Sequence, residues 1–313
     1  MKILITGATG LVGQALTQSL IHDGHNIVTV SRRPNVARRN PSIEVYQWEP
    51  QAGPAPAAAL KGVEAIVHLA GESVAARRWT TEQKKRIRDS RVIGTRNLVT
   101  ALGSVDPRPS ILVSASAVGF YGDRGDEQLT EQASAGNDFL SEVCQQWENE
   151  SRRASELGLR VVQVRTGVVL STAGGALPRM LPPFKLGVAG RLGSGRQWFP
   201  WIHIDDEVGI IRHALQSPAL SGPVNAAAPG IVTNAEFTKE LASVLHRPAI
   251  LPAPSFALRL MLGEMAEMLL GGQRAVPQAA LAAGYHFHYP DLKIALENLL
   301  IGGHATTHAT EVA

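Results

Sequence analysis

The opening thirteen residues, MKILITGATGLVG, restrict this chain more than any other stretch, because they set three glycines between a strand and a helix. Lys2–Thr6 has the continuous apolar character of a strand buried on both faces. The periodic stretch Leu11–Asp23 reads as the helix. Gly7, Gly10 and Gly13 stand between and within them as G-x-x-G-x-x-G. The chain must turn sharply there, bring backbone N–H groups close to a pyrophosphate, and pack its first helix against the strand. A side chain would obstruct one or another of these. Gly7, Thr9, Gly10, Leu11, Val12 and Gly13 are therefore candidate dinucleotide contacts.

The second strand, Asn26–Ser31, is followed by Arg32 and Arg33. A site for NAD usually carries Asp or Glu near this point to accept from the ribose 2′-hydroxyl. Here two guanidiniums replace the carboxylate. A carboxylate would repel a 2′-phosphate, whereas arginine binds one through paired, charge-assisted hydrogen bonds. Ser31, Arg32 and Arg33 are thus expected to meet a phosphorylated ribose, and the cofactor read from them is NADP(H).

Further strands are expected at Ile43–Trp48, Glu64–Leu69, Ser110–Ala115 and Arg160–Arg165, with helices at Thr80–Leu102 and Asp138–Leu157 between them. This alternation predicts an α/β fold, a doubly wound parallel sheet of Rossmann type with a small C-terminal substrate lobe. The dinucleotide-binding domain is placed at 1–170, with 203–228 returning to it. The lobe takes 171–202 and 229–300, and 301–313 is read as a disordered tail. Ser171–His203 is rich in Gly and Pro and free of acidic residues, which suits a binding loop or a segment of a small domain. A helix is expected at Asp205–Leu215, with Asp205 and Asp206 as its caps. Thr233 to Glu236 reads as a capping box, and Phe256–Leu270 as an amphipathic helix packed on a core or a second subunit. That last feature leaves a homodimer open.

Composition closes off other classes. With a single cysteine, Cys144, the chain can form neither an internal disulfide nor a cysteine zinc site, and no metal site is expected; His304 and His308 in the tail are incidental. Net charge is only +3. The basic run Arg77–Arg91 is interrupted by Glu82 and Asp89 and reads as a solvated helix face, so no nucleic-acid partner is expected. No apolar run reaches the roughly 20 residues of a membrane span, and no cleavable leader is evident, so a cytoplasmic protein is expected.

Three more segments carry a resemblance: Val67-His-Leu-Ala-Gly71, Ser114-Ala-Ser-Ala-Val-Gly-Phe-Tyr-Gly122 and Trp201-Ile-His-Ile-Asp-Asp206. With the glycine loop they resemble the extended short-chain dehydrogenases/reductases, the group of nucleotide-sugar epimerases and dehydratases. Arg77–Trp79, Met180–Gly187, Gly193–Gln197 and Gly271–Pro277 make the chain most similar to the atypical YfcH-type epimerase-like branch. The resemblance implies that Leu69, Ala70 and Gly71 pass beneath the cofactor and that Val169 lies near the nicotinamide. It makes Arg91 either a further phosphate contact or a plain helix-surface residue. Ser116 takes the position of the active-site serine that hydrogen-bonds the substrate oxygen.

Relatives also carry Tyr-x-x-x-Lys on the next helix, where the lysine lowers the pKa of a proton-exchanging tyrosine. This chain has Leu140 and Cys144 at those positions. Tyr121 is a candidate replacement for the phenol, set against an aromatic packed under the loop. In the second half, Lys185, Arg196 and Trp198 are candidate contacts for a small anionic, nucleotide-sugar-like substrate, as cations beside an aromatic platform. Two functions remain open: an NADP-dependent oxidoreductase or epimerase, and a non-catalytic NADP(H)-binding sensor or regulator.

Overall fold

The computed structural model describes residues 1–34 and 43–302. The expectation for the tail beyond residue 302, with His304 and His308, lies outside the described residues. The centre of the molecule is a seven-stranded sheet. Its strands are β1 (Lys2–Thr6), β2 (Asn26–Ser31), β3 (Ile43–Gln47), β4 (Ala65–His68), β5 (Ile111–Ala117), β6 (Arg160–Thr166) and β7 (Gly222–Ala226). They lie in the order β3-β2-β1-β4-β5-β6-β7, and every pairing is parallel. This is the Rossmann arrangement expected from the alternation. The strand order reverses between β1 and β4, and in such sheets the crevice for a ligand opens beyond the strand ends at that point.

Strand periodicity explains why both faces are covered. Ile3 and Ile5 point to one face, where Leu16 and Leu20 of α1 (Leu11–His22) join residues of the later helix Ile204–Gln216. Leu4, one residue out of phase, points to the other face with Ile66 and Leu112, under Leu98 and Leu102 of α2 (Thr81–Leu102). Helix α3 (Phe139–Arg152) packs beside α2, and α4 is Ile204–Gln216. Thr80 caps α2 by accepting from the Gln83 N–H.

A second core gathers Leu177, Phe184, Trp201, Phe237, Leu241 and Leu296 from segments after residue 170. The stretch Ser171–His203 contains the helix Leu177–Lys185 and the short strands Trp198–Phe199 and Trp201–His203. Two expected elements differ. Phe256–Leu270 is not one helix, because Gly263 takes φ +62° and divides it into shorter turns. His203, rather than an aspartate, caps α4 through Nδ1. The Asp206 carboxylate instead accepts from the Tyr285 hydroxyl and the N–H groups of His288 and Tyr289, tying the C-terminal segment to α4. The capping box at Thr233 and Glu236 is present with both of its hydrogen bonds. Among the described residues no helix is long and apolar enough to cross a membrane.

Candidate functional site

The glycine loop follows β1 directly. Gly7 has φ +72°, and a Cβ there would lie 2.8 Å from the Leu69 carbonyl carbon. At Gly13 a Cβ would come within 2.2 Å of the Gly7 carbonyl oxygen, so only glycine lets α1 pack this closely on the turn. Gly10 is the N-cap of α1; its N–H donates to the Gly7 carbonyl at 2.9 Å. The first turn of α1 contains no acidic residue, and the N–H groups of Leu11, Val12 and Gly13 precede the first residue whose N–H has a partner within the helix. Thr9 is exposed beside them. This donor set, at the positive end of a helix dipole, fits the pyrophosphate of a dinucleotide.

Strand β2 runs beside β1, and adjacent strands are about 4.8 Å apart, so Ser31, Arg32 and Arg33 flank the glycine loop. The Arg33 N–H donates to Ser31 Oγ at 3.1 Å. Arg32 and Arg33 are exposed and form no ion pair among the described residues, which leaves both guanidiniums available to a phosphate. On the opposite flank, the Ala70 N–H donates to Thr6 Oγ1. His68 bridges Thr6 Oγ1 at 2.7 Å and Thr95 Oγ1 at 2.9 Å. Burial lowers the His68 pKa to about 4, so a neutral imidazole anchors the backbone leading into Leu69, Ala70 and Gly71. Val169 is partly buried in the short strand Val168–Leu170.

Arg91 is neither a solvated surface residue nor a neighbour of the Arg32 end. It is partly buried, and Nη1 donates to the carbonyls of Glu72 and Ile87 at 2.8 and 3.1 Å. Its guanidinium lies over the Trp147 ring, 5.1 Å from the centroid. It also lies against Gly71, where a Cβ would come within 3.2 Å of Cζ. Burial lowers its pKa, and among the described residues no carboxylate forms an ion pair with it. Because β4 and β2 are separated by β1, Arg91 belongs to the β4 side of the crevice.

Ser116 lies on β5, the neighbour of β4, and is 4% exposed. Its hydroxyl donates to Glu148 Oε1 at 2.6 Å. The two Glu148 oxygens also accept from Arg165 Nε and Nη2, each at 2.8 Å, in a bidentate pair buried below 5% exposure on both sides. Tyr121 belongs to the same network. It is fully buried, donates to Asn225 Oδ1 at 2.7 Å, and accepts from Arg165 Nη1 at 2.9 Å. Burial raises its pKa. The catalytic reading of Tyr121 is therefore corrected: its hydroxyl is used up inside the core.

Leu140 packs toward Gly119 and brings no ionisable group. Cys144 is buried next to Ser116, and burial together with the Glu148 charge pushes its thiol up to about 12. Neither residue supplies a proton relay.

In the second half, Lys185 and Arg196 are exposed and form no ion pair among the described residues. Trp198 is partly buried; its indole N–H donates to Asp126 at 2.9 Å, and Arg274 lies over its ring. No hydrogen bond or ion pair joins these three to one another. Among the described residues there is no group of three potential metal ligands.

Glu148 and Arg165 are functional candidates that only the structure reveals. A signal was present: Arg165 interrupts the apolar run of β6, and Glu148 stands on α3 one turn after Cys144, on its buried stripe. Charged residues at core positions are almost always paired with each other.

Comparison with known proteins extends this picture. The model of the NAD-dependent epimerase/dehydratase family matches residues 3–227, and a domain of unknown function, DUF1731, matches residues 253–299. An epimerase family protein of Mycobacterium bovis is 44% identical over 306 residues, covering 97% of each chain. The crystal structure of human epimerase family protein SDR39U1 with NADPH superposes with a TM-score of 0.86 at 37% identity, covering 96% of this chain and 99% of that one. A nucleoside-diphosphate sugar epimerase of Corynebacterium glutamicum superposes with a TM-score of 0.78 at 37% identity, over 96% of this chain and 58% of its own.

Proposed function

The chain belongs to the NAD-dependent epimerase/dehydratase family, and from that premise we propose that it binds NADP(H) and performs epimerase-like redox chemistry on a small anionic, nucleotide-sugar-like substrate. The cofactor reading is supported by the NADPH bound to the human relative, the acid-free first turn of α1, and the guanidiniums of Arg32 and Arg33, which form no ion pair among the described residues. The substrate class is supported by the exposed cations Lys185 and Arg196 and by the nucleotide-sugar epimerase among the relatives.

One observation carries the catalytic reading: the Ser116 hydroxyl is committed to the Glu148 carboxylate. A carboxylate only accepts, so the one Ser116 proton is spent on it and Ser116 Oγ faces any ligand with lone pairs alone. It suits an alcohol that donates to it. As the alcohol O–H breaks, its proton passes to Ser116 Oγ while the serine proton moves to Glu148, leaving a carbonyl on the substrate. Arg165 holds Glu148 in line for that transfer. Bound NADP⁺ supplies the acceptor for the hydride released from the carbinol carbon. The Ser116–Glu148 pair thus stands in for the missing Tyr and Lys.

A second reading, an NADP(H)-binding sensor without turnover, is favoured by Leu140 and Cys144. A screen of nucleotide sugars and carbonyl compounds, followed by NADPH absorbance for net oxidation or reduction and by chromatography of the products for epimerisation, separates the two. Turnover that is abolished by Ser116→Ala supports the enzyme. Tight NADPH binding with no turnover on any compound supports the sensor.

A further inference from the structure

The basic segment Arg77-Arg78-Trp79, left unused by the site above, leads into the N-terminus of α2. There Arg77, Arg78, Thr80, Glu82, Gln83 and Arg86 line a cavity of about 280 Å³. We propose that this cavity is a binding site for a phosphate ester bearing a neighbouring hydroxyl, such as a sugar phosphate, separate from the dinucleotide crevice.

Gln83 carries the argument. It is only 4% exposed, yet its amide nitrogen is buried without a hydrogen-bond partner among the described residues. A buried amide left unpaired costs more free energy than an apolar side chain of the same shape would, so it marks a place where something else is bound. The amide nitrogen carries two N–H donors, which match a phosphate oxygen and the oxygen of a neighbouring hydroxyl.

The surrounding charge selects the anion. Three arginines face one acid, and that acid, Glu82, already pairs with Arg86 at 2.6 Å. Arg77 forms no ion pair or side-chain hydrogen bond among the described residues, and Arg78 reaches only the Leu260 carbonyl, at 3.5 Å. A cavity with this excess of guanidinium favours a doubly charged phosphate over a carboxylate. The 22-residue α2 adds the positive end of its dipole, with the Thr81 and Glu82 N–H groups in the first turn beyond the cap. The geometry also ties the site to the rest of the molecule. Arg78 packs on Gly263, and Lys84 pairs with Glu264 at 2.6 Å, so one side of the cavity is pinned to the segment that follows the helix Ser255–Leu262.

Calorimetric titration of the full-length protein with glucose 1-phosphate and, separately, inorganic phosphate tests the site. Glucose 1-phosphate is expected to bind more tightly than inorganic phosphate, because it alone adds a sugar hydroxyl within reach of Gln83 beside the phosphate. Arg77→Ser and Gln83→Leu should each weaken that binding at least tenfold while NADPH affinity stays within twofold. Gln83→Leu should also raise the melting temperature, since it removes an unpaired buried amide. The proposal is overturned if neither probe binds at millimolar concentration, if inorganic phosphate binds as well as the ester, or if both variants bind like the parent. A lower melting temperature for Gln83→Leu would equally overturn it. None of these outcomes depends on whether the crevice is catalytic.

Discussion

Ser116 and Glu148 are 2.6 Å apart, hydroxyl to carboxylate, with Arg165 forked across both oxygens of the acid. Both charges are out of water, so each depends on the other. Removing one leaves an uncompensated ion in the core. Glu148→Ala is expected to cost about 3–5 kcal/mol of stability, while Glu148→Leu combined with Arg165→Met should recover most of it. Urea denaturation of the three proteins checks this. Equal losses for the single and double variants would show that the pair is not what holds this region.

The packing of α1 on the glycine loop makes a steric prediction. A Cβ at Gly13 meets the Gly7 carbonyl oxygen at 2.2 Å, whereas one at Gly53 meets nothing within 4 Å. Gly13→Ala must push the helix away from the turn, so NADPH affinity is expected to fall at least ~10-fold, as a misplaced donor set loses charge-assisted bonds. Gly53→Ala should leave both affinity and stability nearly unchanged. Fluorescence titration with NADPH reads the difference.

Arg32 and Arg91 flank the crevice on opposite sides of β1, so they should discriminate between cofactor fragments. Arg32→Gln is expected to weaken both NADPH and 2′,5′-ADP by about tenfold, with little effect on NADH. Arg91→Gln should weaken NADPH similarly but leave 2′,5′-ADP, which lacks the nicotinamide half, within twofold. If Arg91→Gln weakens the fragment as much as the whole cofactor, Arg91 serves the adenosine end instead.

Glu207 gives the fold a pH dependence. Thr166 donates to one of its oxygens at 2.8 Å, the other has no partner among the described residues, and burial pushes the carboxyl from 4.5 up to about 8. Between pH 4.5 and about 8 the folded state therefore keeps a proton that the unfolded chain has already lost. Stability from this group is complete at the acid end of that window and declines as pH rises. Glu207→Gln should gain on the parent protein by on the order of 3 kcal/mol between pH 5 and pH 8. A stability difference that stays constant across that range would refute the assignment.

Much of the framework was legible in the residues because it depends on local pattern. Continuous apolar runs marked the strands, and Lys2–Thr6 and Asn26–Ser31 have the bounds read from sequence. Thr80 and Thr233 announced helix starts through hydrogen bonds that close within three residues. Where local pattern misled, a single backbone angle or a distant partner was responsible. Gly263 breaks the stretch Phe256–Leu270 by adopting φ +62°. Asp206 leaves helix capping because Tyr285, His288 and Tyr289 converge on it from about eighty residues away.

The glycine loop and the arginines after β2 were determined by sequence alone, since a turn, a helix start and an adjacent strand end are set by neighbours along the chain. The tertiary structure alone decided what surrounds Ser116 at the end of β5. Tyr121 is drawn into the core by Asn225 and Arg165, and Ser116 is joined to Glu148, 32 residues away. Those pairings follow from the order in which β5, β6 and α3 pack together. Local spacing cannot encode that order, because burying a charge is tolerable only once its partner has been brought across the fold to meet it.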